Sequence, residues 1–299
     1  MPRSRYPSIP RPSPADPATR VVPTPLLLPL VGLAAAVGAM MNAMAGGGTL
    51  VTFPALLALG VPPITANATS TVALWPGTMA SMWGYRAELR GARAWARAWA
   101  LPSILGGAVG ALLLVLTPEK RFAAIVPWLI LGATGLFMLQ GPLLRRMREL
   151  APGHEANPLM ARTAKWLAAR QIAREDGTLR PPARPFLGYQ FLVAIYGGYF
   201  GAGAGILMLA ALGLMGLTNI HQMNGLKNWG GGLFNLIAVA IFVAGGLVDW
   251  PIALVMAAGA TLGGIGGSLL AQRVGQVWVR RVIAVIGFGS GLAMLLGLL

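Results

Sequence analysis

"AGGGTLVTFPALLALGVPPITANATSTVALWPG", residues 45–77, is the stretch on which the reading of this chain turns. Three glycines open it. The apolar run behind them, 48–60, stops at Gly-Val-Pro-Pro and is too short to cross a bilayer, which takes about 20 helical residues. It predicts a half-helix. A longer apolar segment follows at 64–84. It carries Asn67, Ser70 and Thr71 at helical spacings of three and four, which places them on one face. The plan returns 157 residues later. Gly46 and Gly48 fall on Gly203 and Gly205, Leu50 on Leu207 and Asn67 on Asn224, without a gap.

Outward from that stretch, composition agrees with a membrane fold. Of 299 residues, 56% are hydrophobic and only 10% are charged, against about 25% charged in soluble domains. The 41 glycines and 23 prolines suit membrane helices, which tolerate both. Apolar segments run at approximately 24–45, 48–60, 64–84, 98–117 and 121–143. After a polar stretch they resume at 186–201, 204–217, 221–246, 252–272 and 278–298. The expected fold is all-α: a polytopic membrane protein of about 8–10 segments in two inverted repeats, with broken or half-helices. Its parts are a Pro/Arg-rich disordered tail at 1–22, repeat one at 23–143, a basic cytoplasmic loop at 144–185 and repeat two at 186–299.

The net charge of +15 raises the possibility of nucleic acid, but its distribution argues against that partner. Arg86, Arg90, Arg93 and Arg97 form one cluster, nine basic residues lie from Arg145 to Arg184, and Arg273, Arg280 and Arg281 form a third. Such groups between apolar runs read as cytoplasmic loops. The position after the third segment is basic in half one. In half two it is "VDWP" (248–251), with only Asp249 charged. Equivalent loops on opposite sides mean inverted repeats. The arginines of the N-terminal tail conflict with this, since inversion places the tail outside.

Two further segments carry alternatives. "LLLPLVGLAAAVGAMMNAMA" (26–45) ends in an A-x-A pattern like a signal peptide. Its apolar run exceeds the usual h-region of about 7–15 residues, and the repeat makes the glycines behind it part of the fold. Residues 157–176 interleave Leu159, Trp166, Leu167 and Ile172 with Arg162, Lys165, Arg170 and Arg174. That pattern fits a basic amphipathic helix on the anionic inner leaflet or a solvated linker helix.

The chemistry concentrates in "HQMNGLKN", 221–228. His221, Asn224, Lys227 and Asn228 are three or four residues apart, on one helical face. Their partners in half one include Asn67, Ser70 and Thr71. Two polar faces on repeat-related helices are expected to converge on one cavity. An ionisable residue at the bilayer centre costs about 2.5–3.5 kcal/mol on the insertion scale, so Lys227 needs a partner, water or substrate. A lone cation among amide and hydroxyl groups suits an anion. Gly47, Gly48, Gly203 and Gly205 would add backbone N–H groups at half-helix N-termini, where negative charge is favoured. The competing readings are structural. Lys227 could snorkel or pair with Asp249, the amides could bond across helices, and the glycines could serve close packing. His221 is a candidate for titration near neutral pH or a helix-end hydrogen-bonding residue. Lys227→Met is expected to abolish anion binding and spare the fold.

With no cysteine, the chain has no disulfide, thiolate site or Cys nucleophile. His154 and His221 are far apart and make a poor metal set. No nucleotide-binding or hydrolase motif occurs, so neither an enzyme nor a cofactor is expected.

"AGGGTLVTFPALLALGVPPITANATSTVALWPG" (45–77) with "YRAELR" (85–90) resembles the first signature of the sulfite exporter TauE/SafE family. "GGYFGAGAGILMLAALGLMGLTNIHQMNGLKNW" (197–229) with "AGGLVDW" (244–250) resembles the second. The resemblance spans both repeats. It implies a transporter moving sulfite, organosulfonates such as sulfoacetate, or related small anions across the inner membrane. Export is electrically downhill for an anion, since an inside-negative potential is worth about 2.3 kcal/mol per charge per 100 mV. A proton-coupled uptake permease, a passive anion channel and a structural membrane subunit are the alternatives. Membrane lipids and a small anionic substrate are the expected partners, with a homodimer left open.

Overall fold

The computed structural model describes residues 27–44, 46–149, 182, 184–215, 217, 219–270 and 276–298. The N-terminal tail, the 157–176 segment and Arg273 lie outside them. Every regular element among the described residues is a helix: α1 Leu28–Met44, α2 Thr49–Ala58, α3 Pro63–Gly84, α4 Arg86–Gly91, α5 Arg93–Leu116, α6 Glu119–Glu149, α7 Arg184–Tyr199, α8 Ala204–Leu214, α9 Ile220–Ala244, α10 Trp250–Leu270 and α11 Gln276–Leu295.

The short runs are short helices, with 10 residues in α2 and 11 in α8. Local chemistry stops them. At the end of α2, Gly60 adopts φ +75°. The Gly60 N–H donates to Leu57 O at 2.8 Å and the Val61 N–H to Leu56 O at 3.1 Å, a Schellman closure that satisfies two terminal carbonyls. Pro63 then starts α3, where its missing N–H costs nothing. The opposite end of each half-helix is a glycine turn, with Gly46 at φ +78° and Gly203 at φ +79°. Those conformations are nearly cost-free only for glycine.

The repeat is visible in the elements. A step of 157 residues from Pro63, Arg93 and Glu119 lands on Ile220, Trp250 and Gln276, the first residues of α9, α10 and α11. Packing follows the same rule. In the most extensive contacts, α1 lies along α10 and its equivalent α7 along α5. The pairs α3–α10 and α9–α5 exchange in the same way, while α3–α9 and α6–α11 map onto themselves. The halves are therefore interlocked about a pseudo-two-fold axis, each burying its first helix against the other's long helix. Glycines allow this close approach. A Cβ on Gly263 of α10 would strike the backbone of Ala36 in α1, and one on its repeat partner Gly106 in α5 would strike Phe191 of α7. Small residues play this part in membrane helix pairs, where apolar burial gives no net drive.

Among the described residues, four segments are long and apolar enough to cross a membrane: Arg93–Leu116, Glu119–Leu139, Ile220–Ala244 and Trp250–Gly267. Their outward faces are greasy. Leu101, Leu105, Leu112 and Leu116 on α5 and Leu254, Leu262 and Leu269 on α10 are all exposed. Patches of that size face lipid rather than water. Arg86, Arg90, Arg93 and Arg97 are exposed at the α3–α5 corner. There the Arg86 guanidinium lies 5.1 Å from the Trp83 ring centre, an aromatic–cation pair suited to a membrane surface.

Candidate functional site

Lys227 is 3% exposed, in the second turn of α9. Its ammonium donates to Asn42 O at 2.5 Å and to Ala43 O at 3.4 Å. Those carbonyls belong to the last turn of α1, which stops at Met44 before the Gly46 turn. Terminal carbonyls lack intrahelical donors and form the negative end of the helix dipole. Lys227 is thus held in the apolar interior by a broken helix end. Asp249 is occupied elsewhere: its carboxylate accepts from the Ile252 N–H at 3.3 Å, and its own N–H donates to Thr69 Oγ1 at 3.0 Å. The other half repeats the device with a neutral group. Asn67 Nδ2 donates to Tyr199 O at 3.0 Å, at the end of α7, and Tyr199 is the repeat partner of Asn42. Each broken helix is capped by a side chain from the opposite half.

Beside Lys227 lies a cavity with about 530 Å³ of empty space including its mouth. Lys227, Asn228, Gly231 and Asn235 line it from α9, and Thr71, Leu74 and Thr78 from α3. Three of these are repeat pairs: Thr71 with Asn228, Leu74 with Gly231, and Thr78 with Asn235. Trp75 Nε1 also donates to Gly232 O, its own repeat partner, at 3.1 Å. A residue touches its own partner only near the symmetry axis, so the cavity sits on that axis. Phe234 of α9 together with Asn42, Thr49, Gly201, Ala204, Gly205 and Met208 complete the lining, and the first turn of α8 brings its positive dipole end to the wall.

The donors divide unequally. An ammonium has three N–H groups, and two of those on Lys227 are engaged. Asn228 Nδ2 is buried without a hydrogen-bond partner. The hydroxyls of Thr71 and Thr78 donate to the carbonyls of Asn67 and Leu74 at 2.8 and 3.2 Å, and Thr78 also accepts from Asn42 Nδ2 at 3.2 Å. The two threonines thus present lone pairs in this arrangement. Lys227 and Asn228 keep donor capacity that the two threonines have spent on carbonyls.

Of the residues expected at the site, Lys227, Asn228, Thr71 and Gly205 line the cavity. The others do not, for local reasons. Ser70 is turned toward α2, with its hydroxyl 2.6 Å from that of Thr52. Asn67 is engaged in capping α7. Asn224 is buried outside the cavity, with Oδ1 unpartnered. His221 lies in the first turn of α9, where its N–H donates to the N-cap Asn219 Oδ1 at 3.0 Å and its ring centre is 6.2 Å from that of Tyr85. Six residues of helix, about 9 Å, separate it from Lys227. Gly47 packs against Phe137, and a Cβ on Gly48 would come 2.6 Å from Gly38 O, so both glycines serve helix packing. Gly203 forms the turn before α8.

Asn42, Thr49, Thr78 and Asn235 line the cavity without having been singled out from the sequence. Thr78 and Asn235 stand seven residues beyond Thr71 and Asn228, two turns along the same face. Extending the paired faces by two turns would have found them. Asn42, opposite Tyr199 in the repeat, had no such signal.

An all-α membrane protein with two interlocked repeats and a buried cation beside a polar cavity on their axis has the build of a membrane transporter. Residues 30–294 match the family described as "Sulfite exporter TauE/SafE", and the chain belongs to it. It is 30% identical over 256 residues to a "Probable membrane transporter protein" of Haemophilus influenzae, covering 84% of this chain and 88% of that one. It is 27% identical over 272 residues to the "Probable membrane transporter protein YfcA" of Escherichia coli K12, covering 88% and 87%. Against "Probable membrane transporter protein ORF9" of a Sinorhizobium species it is 25% identical over 272 residues, covering 90% and 92%. No solved structure matches. The protein is a membrane transporter and not an enzyme.

Proposed function

We propose that the chain exports a small sulfur oxyanion, sulfite or an organosulfonate such as sulfoacetate, across the cytoplasmic inner membrane, and that the anion binds at Lys227. The observation that carries this reading is the pairing of a buried ammonium having an uncommitted N–H with the unpartnered amide nitrogen of Asn228, both on one cavity. A tetrahedral or pyramidal oxyanion supplies acceptors to both. Thr71 and Thr78 become donors to it by turning their single O–H groups away from the Asn67 and Leu74 carbonyls. The family's description as sulfite exporters supports the choice of anion. Export needs no coupled ion, because the inside-negative potential drives an anion outward.

Lys227→Met tests the reading. Because the lysine also caps α1, its loss costs stability, about 1.5–3 kcal/mol for bonds made by a charged donor. This replaces the expectation of a spared fold. Affinity for sulfite, sulfoacetate, sulfate and acetate is measured well below the melting temperature of either protein. The proposal requires a parent that binds a sulfur oxyanion and a folded Lys227→Met that does not. Equal affinity in the two proteins would sink it. Saturable efflux from proteoliposomes separates carrier from channel.

A further inference from the structure

The corner that joins α3 to α5 carries an uneven charge. Residues 83–97 contain four arginines, at 86, 90, 93 and 97, against one acid, Glu88. All four arginines are exposed, whereas Glu88 is half-buried, with its Oε2 enclosed and without a partner. Arg86 Nη1 donates to Trp83 O at 2.9 Å. Among the described residues, no carboxylate pairs with any of the four guanidinium groups. Their charge is left for something outside the chain.

The other repeat builds the equivalent corner with no basic residue. A step of 157 residues takes Arg86, Arg90, Arg93 and Arg97 to Val243, Leu247, Trp250 and Leu254. Arg93 and Trp250 begin the equivalent helices α5 and α10. Helix α4 has no counterpart, since residues 245–249 are not helical. The fold therefore requires neither the arginines nor α4. Below the arginines, α5 continues as an apolar track. Leu101, Leu105 and Val109 follow Arg97 at intervals of four residues and are 65%, 49% and 40% exposed. From Arg97 to Val109 the helix rises about 18 Å, close to the depth of one leaflet's hydrocarbon, about 15 Å. Trp83, beside Arg86, is 69% exposed and marks the headgroup level, where indole rings settle.

We propose that Arg93 and Arg97 of α5, with Arg86 and Arg90 of α4, hold the phosphate of an anionic phospholipid whose acyl chain lies along Leu101, Leu105 and Val109. Guanidinium groups engage phosphate oxygens in pairs, and each basic side chain near the surface adds attraction for acidic lipid. A zwitterionic lipid brings an ammonium beside its phosphate, which the arginines repel. The docked lipid braces the helix that carries Lys227. A Cβ on Gly225 of α9 would come 3.2 Å from Leu89 and 3.4 Å from Tyr85, so α4 rests on α9 two residues before Lys227.

The test uses the full-length protein, stripped of lipid in an uncharged detergent. Native mass spectrometry and melting curves compare dioleoylphosphatidylglycerol with dioleoylphosphatidylcholine. The parent should bind the anionic lipid about tenfold more tightly or better, and melt higher in its presence. Arg93→Gln with Arg97→Gln should remove about tenfold of that affinity and leave phosphatidylcholine binding within about twofold. Arg86→Gln with Arg90→Gln should act in the same direction. Lys120→Gln with Arg121→Gln takes the same charge from another exposed helix end and should leave the preference intact. Equal binding of the two lipids by the parent overturns the proposal. So does a preference that survives in folded variants of both arginine pairs, or one that falls equally in the Lys120 and Arg121 control, which would reduce it to net charge. Inorganic phosphate should not reproduce the stabilisation. If it does, the corner takes free anions and the lipid assignment falls.

Discussion

Gly46 and Gly203 hold the same left-handed conformation in the two halves, at φ +78° and +79°. An alanine there pays roughly 1–2 kcal/mol for its Cβ. Their surroundings differ. A Cβ on Gly46 would come 2.8 Å from the Cα of Gly205, whereas one on Gly203 would come no closer than 3.3 Å to its nearest neighbour, Ala133. Gly46→Ala should therefore lower the melting temperature more than Gly203→Ala, and should also disturb anion binding, since Gly205 lines the cavity. Thermal unfolding of both variants with and without sulfite checks the order. The glycines were legible in the sequence as repeat partners. Their separate duties were not, because spacing does not say which neighbour approaches from the other half. Lys227 illustrates the same limit. Its burial and lack of an acidic partner could be read from its setting, but the carbonyls of Asn42 and Ala43 come from 185 and 184 residues away.

At the scale of elements, the polar face of α3 divides its labour. Thr71 lines the cavity, Ser70 ties α3 to α2 through Thr52, and Asn67 closes the end of α7. Ser70→Ala and Asn67→Ala should each cost about 0.5–1.5 kcal/mol, the usual net worth of one hydrogen bond, while leaving anion affinity near that of the parent. Thr71→Ala should do the reverse. Paired melting curves and titrations distinguish the two patterns, and an Asn67→Ala that binds tenfold more weakly would return Asn67 to the site. Periodicity correctly placed all three residues on one side of a helix. It could not rank them, since that side spans a wide arc and meets three different neighbours. The half-helices were the easier reading: lengths near ten residues behind a glycine cluster admit no full crossing.

For the whole molecule, the inverted arrangement is a proposal with a direct test. Ala87, in α4 just beyond the end of α3, and Ala244, the last residue of α9, are repeat partners and both are exposed. In this cysteine-free chain, Ala87→Cys should react with a membrane-impermeant reagent only from the cytoplasmic side and Ala244→Cys only from the opposite side. Labelling of both from one side would refute inversion. The sequence showed the two halves through their 157-residue offset, and its arginine placement set the expectation of sidedness that the labelling tests. It did not show that the halves interlock, because nothing in a single segment records that its packing partner lies in the other repeat.

That interlocking sets a schedule for biosynthesis. About 220 residues separate Leu28 at the start of α1 from Trp250 at the start of α10. At roughly 5–20 residues per second, α1 is in the bilayer for ten seconds or more before the helix that covers it has been made. During that interval its alanine- and glycine-lined flank faces lipid, and the α1 carbonyls wait for Lys227, which is also still untranslated. The first half is thus an inserted but unfinished intermediate, exposed to membrane quality control. Translation speed across residues 150–250 should govern how much of the protein survives to be completed.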